Sequence, residues 1–139
     1  MRSSRNGWTA AVALVLAAAA AGCAGDATPP ETNEGPWTAL SDRPCPTDSF
    51  LTYESFGSPF FSNYCRGCHS SALAADARQL APLEVNFDTV DDIRALSERV
   101  WLRAADGNAT MPPAGGPVVA ERDLLGEWLA CGAPLREEP

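Results

Sequence analysis

The chain has 139 residues, 10 Arg and no Lys against 18 acids, a single His, and a formal net charge of −8. With no basic block there is no electrostatic footprint for nucleic acid, which is excluded as a partner. A chain of this size holds one domain with a modest core, of the kind that a covalent cofactor, a metal or disulfides help to hold together.

Arg2 and Arg5 precede an apolar run from Trp8 to Ala21, the charged and apolar regions of an export signal. The run is too short and too rich in Ala for a membrane span. It ends in Ala20-Ala21-Gly22-Cys23, which resembles the site where bacterial lipoproteins are cut and the new N-terminal Cys is acylated. Ala20 stands where Leu is usual. The resemblance makes residues 1–22 a removed signal and Cys23 the lipidated residue; the alternative is ordinary secretory cleavage nearby, with Cys23 incidental. Removing residues 1–22 takes away two Arg and no acids, so the formal charge goes from −8 to −10. Partners are then expected to be neutral or to carry basic patches. Residues 23–44, with Pro29, Pro30, Pro36 and Pro44 and no apolar periodicity, read as a flexible tether. The folded domain is expected over residues 45–136.

Within that domain no stretch alternates as a strand would, and the pattern predicts an all-α fold. Ser58 is an N-cap candidate, Pro59 suits the first helical position, and Phe60, Phe61 and Tyr64 give bulk to a short first helix. A second helix is predicted from Val90 to Ala104, capped by Asp88 or Thr89, with Val90, Ile93, Leu96, Val100 and Trp101 at helical spacing. A third runs from Ala120 to Cys131, stopped by Gly132 and Pro134, with Leu124, Leu125, Trp128 and Leu129 as its buried stripe. The stretch Ser70 to Asp88 has little helical punctuation and is interrupted by Pro82.

The first helix leads into Cys65-Arg66-Gly67-Cys68-His69. Two thiols at this spacing can each add across one vinyl group of a haem, and the His directly after the second Cys then serves as proximal iron ligand. Zinc sites and thioredoxin-like centres share Cys-x-x-Cys, but zinc needs further ligands and the thioredoxin motif needs a βαβ context that the pattern lacks. Arg66 and Gly67 are ordinary fillers of the two middle positions. His69 is the sole His, so two His ligands within one molecule are impossible; after signal removal Met111 is the sole Met. Met111 lies in the Pro/Gly loop Ala109 to Gly116, whose prolines limit backbone freedom and help hold a weak thioether ligand. Core filler is the alternative role for a lone Met.

At this point the chain resembles the class I c-type cytochromes, small helical single-haem electron carriers. Gly57, Phe61 and Cys65 stand four apart, Leu125 and Trp128 match the Leu-x-x-aromatic face of the family's C-terminal helix, and Met111-Pro112-Pro113 matches its distal loop. The match spans roughly Phe50 to Pro134. It implies a cytochrome c-like domain wrapped around one covalent haem c, held by Cys65 and Cys68, with His69 and Met111 as axial ligands. It also implies that Gly57 and Phe61 on the first helix cross close to Leu125 and Trp128 on the last. That crossing would bring Cys45 near Cys131, and an oxidising compartment favours their disulfide; separate thiols, or pairing with another protein, are the alternatives. Simple packing accounts for Trp101 and Trp128.

The expected function is single-electron transport between redox partner proteins, without enzymatic activity, by a monomer anchored through lipid at the periplasmic face of a bacterial membrane. Ala24 after Cys23 points to the outer membrane in that resemblance. One alternative is a five-coordinate haem sensor or peroxidase-like protein with Met111 unbound, although nothing in the sequence supplies the distal His, or the Arg and His together, that peroxide chemistry needs. The other is a haem-bearing subunit of a larger membrane oxidoreductase.

Overall fold

A computed structural model describes residues 37–136, and over them the chain is helical, with no strand. The signal, Cys23 and residues 23–36 of the tether lie outside the described residues. Among the described residues no helix is long and apolar enough to cross a membrane.

The packed part of the chain starts earlier than Cys45. Leu40–Asp42 form a single 3-10 turn, and Trp37 and Leu40 pack against the core. The boundary of the tether at residue 44 is therefore corrected for residues 37–43. The reason is a buried ion pair. Arg43 Nε donates to the Asp106 carboxylate at 2.9 and 3.0 Å, and a second guanidinium nitrogen donates to the Asp123 carbonyl at 2.9 Å. The guanidinium also lies 4.8 Å from the ring centroid of Trp37. Asp106 is 3% exposed and accepts a third bond from Trp101 Nε1 at 2.6 Å.

The first helix also begins early. Thr52 and Ser55 form a reciprocal capping box, and a wide turn over Tyr53–Gly57 runs directly into α1 (Ser58–Tyr64). Ser58 is thus inside the helical run and not its cap. Proline explains the wide turn: Pro59 has no N–H to give, and its ring would meet the carbonyl four residues back. The chain bonds instead at the longer spacing, Gly57 N–H to Thr52 and Ser58 N–H to Tyr53.

The predicted helix from Val90 to Ala104 is two helices, α2 (Val90–Ala95) and α3 (Ser97–Ala104). Thr89 caps α2 through a reciprocal bond with Asp92. At Leu96 the backbone turns to φ −117°, ψ 16° and its N–H bonds Ile93 three residues back, which tightens the ladder and ends it. The Leu96 carbonyl then accepts from Val100 and opens α3. The last helix, α4, spans Val119–Ala130. Leu125, Trp128 and Leu129 are buried, but Leu124 is exposed. Gly126 takes its place in the buried face, because that position abuts the Asp106 carboxylate and a Cβ there would collide with it.

Phe61, Ile93, Leu125 and Trp128 are fully buried and tie α1, α2 and α4 into one core. A Cβ at Gly57 would come within 2.7 Å of the Trp128 ring, so the absence of a side chain there is what lets the first helical run lie on α4. Cys45 and Cys131 are joined as a disulfide with Cα atoms 4.8 Å apart. It closes a loop of 86 residues, worth at most about 4 to 5 kcal/mol by the chain-entropy account.

Candidate functional site

After α1 the chain turns back on itself. Arg66 N–H bonds the Phe61 carbonyl, Cys68 N–H and His69 N–H both bond the Cys65 carbonyl, and the resulting coil sets Cys65, Cys68 and His69 along one cavity of about 220 Å³. Phe60, Phe61, Val85, Phe87, Val100 and Ala104 supply apolar lining, and Met111, Pro112 and Pro113 form a further wall. The cavity therefore brings together the four residues expected from sequence to hold a haem, Cys65, Cys68, His69 and Met111, the last of them far along the chain. Gly57, Leu125 and Trp128 lie in the core, and Phe61 both lines the cavity and contacts the Trp128 ring at 6.2 Å between centroids.

His69 is held on both sides. Its carbonyl accepts from Phe87 N–H at 3.0 Å, and its ring lies 5.2 Å from that of Phe87. Nδ1 is 3.1 Å from the Val85 carbonyl oxygen. A carbonyl can only accept, so Nδ1 carries a hydrogen; in the neutral ring the lone pair is then on Nε2, the tautomer a metal-binding His requires.

Arg66 is more than a filler. Its guanidinium donates to the Phe87 carbonyl at 2.8 Å, the Asp88 carbonyl at 3.0 Å and the Tyr53 hydroxyl at 2.6 Å. It thereby binds the Cys-x-x-Cys turn to the segment that carries Val85 and Phe87. That segment follows a 3-10 turn, Ala75–Arg78, and is organised by Arg78, whose side chain is buried among backbone carbonyls.

Two cations stand on the cavity wall. Arg99 and Arg103, one turn apart on α3, are exposed, and neither side chain has a hydrogen bond or ion pair among the described residues. Arg43, Arg66, Arg78, Arg94 and Arg122 all have partners. Met111 is 40% exposed, and its N–H bonds the Arg103 carbonyl at 2.9 Å.

The thiol chemistry narrows the choices. Burial pushes the Cys65 thiol up to about 12, the neighbouring Cys68 adding to the rise and Arg66 opposing it. A disulfide-exchange centre lowers the pKa of its attacking Cys, and here the shift runs the other way. Cys45 and Cys131 are engaged with each other, and among the described residues no group of three or more His, Cys, Asp or Glu is placed to hold a bare metal ion.

Arg66, Arg78, Arg99 and Arg103 were not singled out from sequence. Arg99 and Arg103 carry one legible signal, a four-residue spacing on a helix beside the buried Val100 and Ala104. Arg78 carries none, since an Arg in a polar loop reads as solvated. The chain matches no protein family, no curated protein and no solved structure closely enough to count as similar.

Proposed function

We propose that the chain is a single-haem c-type cytochrome of class I that carries electrons one at a time. The observation that supports this most strongly is the placement of Met111, in a distant loop, on the cavity that already holds Cys65, Cys68 and His69. The residues fit the group. The lining is apolar, the His69 tautomer leaves Nε2 available, and the two unpartnered guanidiniums of Arg99 and Arg103 match a cofactor with two carboxylates.

In this reading Cys65 and Cys68 hold haem covalently, His69 and Met111 bind its iron, and Arg99 and Arg103 pair with its carboxylates. Bound there, haem supplies a reversible one-electron change at iron. Phe60, Phe61, Val85 and Phe87 keep water from that wall of the cavity. Met111 contributes a thioether, a ligand that favours the reduced state and raises the potential. With His69 and Met111 both holding the iron, no position would be left for a substrate, and the site would transport electrons instead of catalysing. In the same reading, supported by the signal-like N-terminus and the lipoprotein-like Cys23, the protein works at the periplasmic face of a bacterial membrane, anchored by lipid, with redox proteins as partners.

The test is the visible spectrum of the full chain, matured in a host that attaches c-type haem, compared with Met111→Ala. The wild type is expected to be low-spin with the weak red sulfur-to-iron band, and the variant to lose that band. A high-spin wild type that readily binds carbon monoxide would replace the carrier with a sensor or peroxidase-like protein.

A further inference from the structure

Arg78 is 1% exposed. One terminal nitrogen donates to the Ser70 carbonyl and the Asn86 side-chain oxygen, both at 2.7 Å; the other donates to the carbonyls of Pro82 at 2.7 Å and Val85 at 2.8 Å. No carboxylate is among these partners, and Nε is buried without one. A buried cation balanced by neutral dipoles is a costly way to close a loop. Its position points to a purpose. Ser70 directly follows His69, and the Val85 oxygen that accepts from Arg78 is the same oxygen that faces His69 Nδ1 at 3.1 Å. One carbonyl thus lies under two donors, one neutral and one cationic.

We propose that Arg78 is a positioning residue that acts on His69 through the shared Val85 carbonyl and makes the iron site easier to reduce. The inference rests on the haem reading above. A cationic donor is the stronger claimant on a carbonyl oxygen, so the Nδ1–H bond of His69 is left weaker and its proton stays more fully on the ring. Nε2 is then a poorer donor, and the oxidised site loses support. The buried charge itself acts in the same sense, because it disfavours an added positive charge nearby. No bond is made or broken in the step: a one-electron donor gives its electron to the site, and Arg78 biases that equilibrium toward the reduced form.

Two variants of the mature protein test this, Arg78→Met and Arg78→Lys, by redox titration against a fixed mediator and by NMR of the reduced protein. His69 is the chain's single His, so labelling His with nitrogen-15 reports its ring alone. Arg78→Met is expected to keep covalent haem and the red band, while its equilibrium constant for reduction falls about tenfold, about 59 mV for a one-electron couple. Its Nδ1–H resonance is expected to move downfield as the bond to Val85 shortens. An unchanged equilibrium constant or an unmoved resonance, with the red band intact, overturns the proposal. If Arg78→Met loses the band, Arg78→Lys decides, because it keeps the cation without the forked grip on Val85: a downfield shift supports the proposal, an unmoved resonance overturns it. Loss of the band in both variants makes Arg78 a loop fastening only and also overturns it. A wild type without covalent haem is a different result, since it defeats the haem reading itself.

Discussion

The wall of the cavity that carries His69 and the wall that carries Met111 face the same space but are fastened by different means. On the His69 side, Arg66 and Arg78 between them bond the carbonyls of Phe87, Asp88, Ser70, Pro82 and Val85, and Phe87 packs its ring on both Phe61 and His69. On the Met111 side, the Met111 N–H and the Thr110 hydroxyl both end on the Arg103 carbonyl, and Gly115 holds φ +92° in the loop that follows. One wall is built in advance by buried donors and rings. The other rests on two bonds to the single Arg103 carbonyl, and loops with few buried contacts open at low free-energy cost. In the proposed cytochrome this arrangement would suit a carrier, since His69 would need to keep one tautomer while the Met111 thioether would need only to reach the iron.

Four measurements bear on the contrast. The largest effect is expected from Phe87→Ala, which empties a buried ring site against Phe61 and His69 and should cost about 3 to 5 kcal/mol in denaturant unfolding. Arg66→Met leaves the Phe87 and Asp88 carbonyls and the Tyr53 hydroxyl without their donor and should cost about 1 to 3 kcal/mol. Thr110→Ala, on the other wall, removes only an exposed hydroxyl bond of 3.3 Å and should change stability by no more than about 0.5 kcal/mol. A loss from Thr110→Ala as large as that from Arg66→Met would remove the distinction between the walls.

The smallest effect is one of pH. The Asp88 carboxyl is held below the usual range by the Ser70 side chain first, and then by the N–H and side chain of Ser71. A depressed folded pKa gives stability that is present above the unfolded carboxylate value and is lost as pH falls through the folded one. Asp88→Asn should therefore cost a little stability at neutral pH, and the gap from wild type should close in acid. A gap that persists unchanged in acid would assign the effect to something other than this charge.

The cluster of Cys65, Cys68, His69 and Met111 on one cavity was legible because the first three fall within five positions and Met111 is the sole Met besides Met1. The helical class and α4 were also legible, through apolar spacing and the Gly132 stop. The breaks were not. Pro59 looked like a helix start, and only the capping box at Thr52 and Ser55 moves the start upstream; Leu96 keeps helical spacing even though its backbone leaves the helix. Trp37 to Arg43 looked like tether because the partner that fixes Arg43 is Asp106, 63 residues away. Arg78 was invisible for a related reason. Its partners are backbone carbonyls, which every residue possesses, so no side-chain pattern announces them.

The most direct test of the central claim is the intact mass of the denatured mature chain, measured for the wild type and for the Cys65→Ser, Cys68→Ser double variant. The wild type should carry the mass of one haem through denaturation, and the double variant should carry none. A wild type without that mass, or a double variant that keeps it, would contradict the assignment of Cys65 and Cys68 as the attachment site.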